Sequence, residues 1–100
     1  SQVKTTQDRT WQLMHIAGQT IARAHDATGR AGQNPAADPA ALAKARELIR
    51  KAQWFWDIVA AENGMGAHNP GGNMNILGQS IDLAHQAIEA AAQAGGATKQ

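Results

Sequence analysis

One stretch of the sequence, residues 38–64, reads DPAALAKARELIRKAQWFWDIVAAENG and indicates the fold class. It opens with Asp38 at a helix N-cap position and Pro39 at the first helical position, where a missing N–H costs nothing. It closes on Asn63 and Gly64, which both tolerate the left-handed conformation of a helix C-cap. Between these ends, apolar residues recur at steps of three and four, at Leu42, Ala45, Ile49, Ala52, Trp56 and Val59. That spacing predicts one long amphipathic helix.

The segments on either side of this stretch show the same helical periodicity. Loops rich in Gly, Pro and Asn, at residues 29–39 and 63–72, divide the chain into three parts. The pattern predicts helices at about 6–28, 39–63 and 70–94. The apolar stripe expected of the first helix is Trp11, Met14, Gly18, Ile21 and His25. The stripe expected of the third is Met74, Leu77, Ile81, Ala84, Ile88 and Ala91. Because the Gly/Pro loops are short, the expected fold is all-α, with three long helices in an antiparallel bundle.

The composition bounds the size and the chemistry of the protein. A chain of 100 residues is the size of one domain, here a single helical domain over residues 1–100. The net charge of +1 argues against a nucleic-acid partner, which requires a concentrated basic patch. The chain has no cysteine, which excludes disulfides, zinc–thiolate sites and covalent attachment of c-type haem within these residues. The composition therefore predicts a helical domain without a catalytic site of its own.

The run Trp54-Phe55-Trp56 makes the second helix apolar nearly all round. The two tryptophans are two residues apart, about 200° around a helix, and cannot share one face. In an isolated bundle one of them would face water. One interpretation is that its ring lies flat over a neighbouring helix. The other, which we favour, is a second contact surface for a partner chain or for another part of the same protein, with Trp54, Phe55 and Trp56 as interface candidates.

The histidines are the groups best suited to metal binding or proton transfer near neutral pH. His15 is expected to be solvated, His25 to lie near the end of the first stripe, and His85 to lie at a boundary. No pair has the spacing of four residues that makes a helical metal site. His68 differs because it follows the glycine-rich run 63–67 and directly precedes Asn-Pro at the start of the third helix. An imidazole at this position can be directed at a group outside the bundle, although a surface histidine is the simpler interpretation.

Several of these residues together resemble a known family. Residues 52–57 read AQWFWD, and they are followed by HNP at 68–70, LG at 77–78 and IDLA at 81–84. In this order and spacing they resemble the C-terminal helical region of pentahaem cytochrome c nitrite reductase, over about residues 52–87. That family reduces nitrite to ammonia in the bacterial periplasm. The resemblance implies a multihaem electron-transport protein, with this chain as the C-terminal part of a larger enzyme.

The resemblance also implies roles for individual residues and partners. In that family the histidine of the His-x-Pro element is the distal axial ligand of a bis-histidine haem, which corresponds to His68 here. The Cys-x-x-Cys-His and Cys-x-x-Cys-Lys attachment motifs, the catalytic haem and the calcium site would lie in a haem-bearing N-terminal part, so this chain alone would bind no cofactor. The expected role is structural, as a dimerisation domain of a homodimer that meets the membrane only through a separate electron-donor protein.

Two departures from the family pattern leave other readings open. Gly71 and Gly72 stand where acidic or amide residues are usual, which weakens the helix start by about 1 kcal/mol per glycine. Asn75 stands where a basic residue is common. Both departures are compatible with a divergent relative such as an octahaem cytochrome. The main alternative is a stand-alone helical protein–protein interaction module without a redox role, and a third is a haem or metal carrier made by dimerisation.

Overall fold

A computed structural model describes residues 2–64 and 70–95, with side chains described for residues 9–62 and 71–95. The described residues form three helices: α1 (Gln2–Gly32), α2 (Pro39–Gly64) and α3 (Pro70–Gly95). They form a rod measuring 53 × 22 × 16 Å. The all-α prediction is confirmed, and the bounds of α2 and α3 agree with the expected 39–63 and 70–94 to within one residue. Only α1 differs, since it extends beyond the expected 6–28 at both ends.

The helices run up, down and up, and α3 is the central one. Ser80 in the middle of α3 donates a hydrogen bond to the carbonyl of Ala52 in the middle of α2, with Oγ and O 2.7 Å apart. The amide of Asp38, just before α2, donates to the carbonyl of Ala94 near the end of α3, 3.0 Å away. Residue numbers thus rise in one helix as they fall in the other, so α2 and α3 are antiparallel. Helix α3 packs against both neighbours far more extensively than α1 and α2 pack against each other.

The core is built mainly from alanine. Among the described side chains, ten of the sixteen buried apolar residues are alanines. They lie in three clusters along the rod, of which the first is Met14, Ala17, Val59 and Leu77. The second is Ile21, Ala24, Ile49, Ala52, Ala84 and Ala87. The third is Ala31, Leu42, Ala45, Ala90, Ala91 and Ala94. Small side chains let the helix backbones approach closely, as at Gly95, where an added Cβ would lie 3.2 Å from the Cβ of Ala31.

The expected stripe of α2 is confirmed, but that of α1 is partly wrong. Met14 and Ile21 are buried as expected, whereas Trp11 is 60% exposed and His25 is also exposed. The buried line of α1 runs through Thr10, Met14, Ala17, Ile21, Ala24, Thr28 and Ala31. This line keeps the expected steps of three and four but uses small residues where the sequence pattern favoured large ones.

The stripe of α3 shows the same shift. Leu77, Ala84 and Ala91 are buried, but Met74 and Ile81 are half-buried and flank the contact. The buried line runs through Asn73, Leu77, Ser80, Ala84, Ala87, Ala91 and Ala94. Because α3 packs against both α1 and α2, small side chains occupy the centre of these contacts. The larger side chains of α3 lie at the edges of the contacts.

The loop between α1 and α2 fixes one end of the bundle. Asn34 donates a side-chain hydrogen bond to the carbonyl of Gly95, 3.1 Å away, at the end of α3. The Asp38 carboxylate accepts a hydrogen bond from the amide of Ala40, with Oδ1 and N 3.1 Å apart. The N-cap predicted at Asp38 is therefore confirmed, and the loop ties the C-terminal ends of α1 and α3 together.

Candidate functional site

The expected haem ligand, His68, belongs to residues 65–69 and lies outside the described residues. The other three histidines, His15, His25 and His85, are all exposed, the first two on α1 and the third on α3. In the described part of the chain, no group of three or more His, Cys, Asp or Glu residues could hold a metal ion. These three histidines therefore do not form a metal centre with the acidic residues around them.

The ends of α2 and α3 that residues 65–69 connect carry two buried acceptor atoms. Oε1 of Glu62, near the end of α2, and Oδ1 of Asn73, in the first turns of α3, are both inaccessible to solvent. Neither atom has a hydrogen-bond partner among the residues that the structure describes. Asn73 as a whole is only 3% exposed. A buried acceptor without a donor costs about 1–3 kcal/mol, so this end of the bundle favours a partner with an N–H or O–H group.

The three interface candidates on α2 do not share one environment. Trp56 faces the bundle: its ring is half-buried, and its Nε1 donates a hydrogen bond to the carbonyl of Met14, 2.9 Å away. Trp54 faces outward and is 62% exposed. Its ring lies against that of Phe55, with centroids 5.4 Å apart and planes at 45°. Of the three, only Trp54 and Phe55 therefore form an outward surface.

Trp54 and Phe55 line a shallow groove between α2 and α3, of about 760 Å³, which we call the Trp54 groove. Leu83 of α3 adds to its apolar wall, and charged and amide side chains surround it. Its full lining is Arg50, Lys51, Trp54, Phe55, Gln79, Asp82 and Leu83. The two cations lie on α2 and the carboxylate on α3, so the groove combines an apolar floor with opposite charges on its two sides.

The described residues do not fit a haem held inside the bundle. Covalent attachment needs cysteines, and the chain has none. The core positions are packed with alanine side chains in contact across the helices. The described histidines point to solvent rather than into that core. Among the residues whose side chains the structure describes, a haem contact must therefore come from the surface of the bundle.

Comparison with known proteins places these features in a family. The model of the family described as cytochrome c552 matches residues 1–100. The chain belongs to the cytochrome c552 family. It is 39% identical over 98 residues to a protein named cytochrome c nitrite reductase subunit NrfA from Nitratidesulfovibrio vulgaris, which covers 94% of this chain and 19% of that protein. The resemblance seen in the sequence is therefore confirmed.

Two further relatives carry the name cytochrome c-552. One, from Desulfotalea psychrophila, is 36% identical over 75% of this chain and 15% of its own length. Another, from Bacteroides fragilis, is 41% identical over 80% of this chain and 17% of its own length. The chain thus spans less than a fifth of the length of the curated relatives it matches. No solved structure matches it. Over the residues that the structure describes, each helix lacks an apolar stretch of the length that a membrane span requires.

Proposed function

We propose that this chain is the C-terminal helical domain of a periplasmic multihaem enzyme that reduces nitrite to ammonia. The observation that carries the proposal is the similarity to a named nitrite reductase subunit over 94% of the chain. In this role the chain carries no catalytic group. The c-type haems and the calcium ion belong to a haem-bearing N-terminal part, and a separate donor protein supplies the electrons. The test is a nitrite-reduction assay on the complete protein, expressed from its whole gene, with ammonium measured as product; a protein without bound haem or without ammonium formation would contradict the assignment.

The first specific role proposed for the chain is to supply His68 as the distal axial ligand of a bis-histidine haem. A ligating imidazole bonds the metal through one nitrogen and normally donates its other N–H to an acceptor. The buried oxygens of Glu62 and Asn73, at the two helix ends that residues 65–69 connect, are acceptors in need of a donor. This supply of acceptors supports the proposal without fixing which oxygen is used.

The ligand role is tested by changing His68→Ala in the complete protein and recording visible and electron paramagnetic resonance spectra. One low-spin bis-histidine signal should disappear while the other haem signals remain. His85→Ala is the matched control, because His85 is exposed on α3 and should leave all signals in place. An unchanged set of low-spin signals in the His68→Ala protein would refute the ligand role.

The second role proposed is dimerisation through the Trp54 groove. An isologous two-fold interface needs a self-complementary surface. The groove has this property, because Lys51 of each copy can face Asp82 of the other while the Trp54 and Phe55 rings meet at the centre. Tryptophan and arginine are also enriched among the residues that dominate interface energetics.

Sedimentation of the complete protein tests the dimer. Trp54→Ala should convert a dimer to a monomer, whereas Trp11→Ala, an equally exposed tryptophan on α1, should not. A dimer that persists in the Trp54→Ala protein would refute dimerisation through the Trp54 groove.

The alternative function, an interaction module without a redox role, is favoured by the same exposed groove. It requires that the complete protein contain no haem.

A further inference from the structure

A second cleft, which shares only Arg50 with the Trp54 groove, lies between α1 and α2 and has a volume of about 330 Å³. Its α1 wall comes from successive turns of one helix face, and its α2 wall from the turn that carries two arginines. The lining consists of His25, Thr28, Gly29, Arg46, Ile49 and Arg50. Every polar side chain in this set can donate a hydrogen bond, and none is acidic. A lining with two guanidinium groups and no carboxylate is suited to an anion.

The two arginines of this cleft are not equivalent. Arg50 is already held by Glu47, with Nη2 and Oε1 2.6 Å apart. Arg46 is exposed and makes no ion pair or side-chain hydrogen bond with the described residues. Its Nη2 lies over the last turn of α1, 3.6 Å from the place that a Cβ on Gly32 would occupy. The cleft therefore contains one guanidinium whose five donors are available to a ligand.

Thr28 supplies an independent sign that the cleft lacks a partner. Thr28 is only 6% exposed, and it forms part of the cleft wall. Its Oγ1 is buried and has no hydrogen-bond partner in the described part of the chain. By contrast, Thr20 on the same helix donates to the carbonyl four residues earlier, at 2.7 Å, as helical threonines commonly do. The Thr28 hydroxyl is thus an unused donor beside an unpaired guanidinium.

We propose that this cleft binds a carboxylate, with Arg46 as its main ligand. The Thr28 hydroxyl, whose Oγ1 is covered in the structure, joins as a second donor by a rotation about χ1 into the cleft, because a helical threonine has two accessible rotamers. The planar fork of a guanidinium matches the two oxygens of a carboxylate, which gives short, charge-assisted hydrogen bonds. The apolar side chain of Ile49 and the bare backbone of Gly29, which has no atom within 4 Å of an added Cβ, leave room for the short alkyl group attached to the carboxylate. The carboxylate comes either from a small organic acid or from an acidic group of the complete protein itself.

The test measures the rate at which phenylglyoxal modifies individual arginines of the complete protein, read by mass spectrometry of its peptides. Arg23 is the internal control, because it is also exposed and unpaired but lies outside the cleft. Sodium acetate replaces sodium chloride at constant ionic strength. At a free acetate concentration of about twice the Kd, about one third of the sites remain empty, so modification of Arg46 should slow about threefold while that of Arg23 does not change.

The outcomes separate the two sources of the carboxylate. Slowing of Arg46 only after acetate is added supports a small organic acid. A second outcome is that Arg46 is modified slowly even before acetate is added, and reaches the Arg23 rate in roughly 1 M sodium chloride, where charges are screened beyond about 3 Å. That result supports an acidic group of the protein. Equal rates for Arg46 and Arg23 under all conditions would overturn the proposal. Slow modification that salt does not restore would also overturn it, since it shows steric cover rather than an ion pair.

A pair of variants tests the hydroxyl. Thr28→Val removes the donor at nearly constant shape and should weaken the acetate effect on Arg46, whereas Thr28→Ser should retain most of it. An acetate effect of the same size in all three proteins would remove Thr28 from the proposal. The main test uses the protein without substitutions, so it remains valid even if one of these variants fails to fold. None of these outcomes depends on nitrite reduction or on haem.

Discussion

The two tryptophans of α2 lie only two residues apart, but one is exposed and the other packs in the bundle, so their substitution should affect stability very differently. Trp56→Phe removes the hydrogen bond from Nε1 to the Met14 carbonyl, 2.9 Å long in the structure. The net value of such a bond is about 1 kcal/mol. The smaller ring also gives up about 30 Å² of buried apolar surface, or about 0.75 kcal/mol. The free energy of unfolding should therefore fall by about 1.5–2 kcal/mol, which lowers Tm by about 10 °C for a domain of this size.

Trp54→Phe is the matched control, because Trp54 is 62% exposed and its Nε1 donates to no described residue. This change should alter the free energy of unfolding by less than about 0.5 kcal/mol. The assay is urea-induced unfolding of the 100-residue chain followed by far-UV circular dichroism. Equal losses for the two variants, or a larger loss for Trp54→Phe, would show that the assignment of Trp56 to the bundle and Trp54 to the surface is wrong.

Three smaller predictions concern the helix contacts and caps. Ser80→Ala removes the bond to the Ala52 carbonyl and should cost about 1 kcal/mol in urea unfolding, whereas Ser80→Val should cost more because it adds volume at a fully buried position. Asp38→Ala removes the N-cap of α2 and should lower stability by about 1 kcal/mol, with Asp38→Asn retaining most of it. The hydrogen bond from Arg50 lowers the pKa of Glu47, so its contribution is present above the ordinary Glu pKa and is lost as pH falls through the lowered value. Thermal melts across that acidic range should show a small pH dependence that Glu47→Gln abolishes, and an unchanged dependence would refute the pair's contribution.

The sequence predicts the helices well because their ends carry strong local signals. Asp38 and Pro39 begin α2 as expected, and Pro70 begins α3. The end of α1 is predicted less well. Gly29 indicated a loop, but α1 continues to Gly32. The tertiary contact explains this, since Ala31 packs against Gly95 and the loop that follows is tied to the end of α3. Long-range packing of this kind overrides the modest cost of a glycine inside a helix.

The buried lines of α1 and α3 are harder to predict for a different reason. Hydrophobic periodicity identifies the bulkiest apolar residues, and it selected Trp11 on α1 and Ile81 on α3. Where helices approach closely, the centre of the contact is occupied instead by small side chains, such as Ala17 and Ser80. A serine in the core is satisfied by a backbone carbonyl of the facing helix, and nothing in the local sequence signals that partner. The pattern of one helix alone therefore cannot identify the centre line of a tight bundle.

The candidate surfaces, too, can be predicted from one helix only in part. Helix geometry prevents Trp54 and Trp56 from lying on one face, which predicts that one of the two rings faces outward. Which of the two faces outward depends on the register between α1 and α2, which places the Met14 carbonyl within reach of Trp56. The cleft between α1 and α2 depends on this register as well, because the register brings Thr28 on α1 beside Arg46 on α2. Neither relationship is contained in the spacing along a single helix.

The alanine core and the exposed Trp54 ring both limit the hydrophobic stabilisation of the isolated bundle. An alanine buries little apolar area, so close packing gains dispersion contacts but leaves a modest hydrophobic contribution to stability. The large ring that could add to it lies outside the bundle, where only a partner can cover it. A partner that binds only the folded state stabilises it by RT ln(1 + L/Kd), where L is the free partner concentration, a stabilisation that increases with the concentration and affinity of the partner. Trp54→Ala should therefore leave the Tm of the isolated chain almost unchanged and lower the Tm of the complete, assembled protein. An equal effect in both would show that the Trp54 ring contributes to the bundle itself.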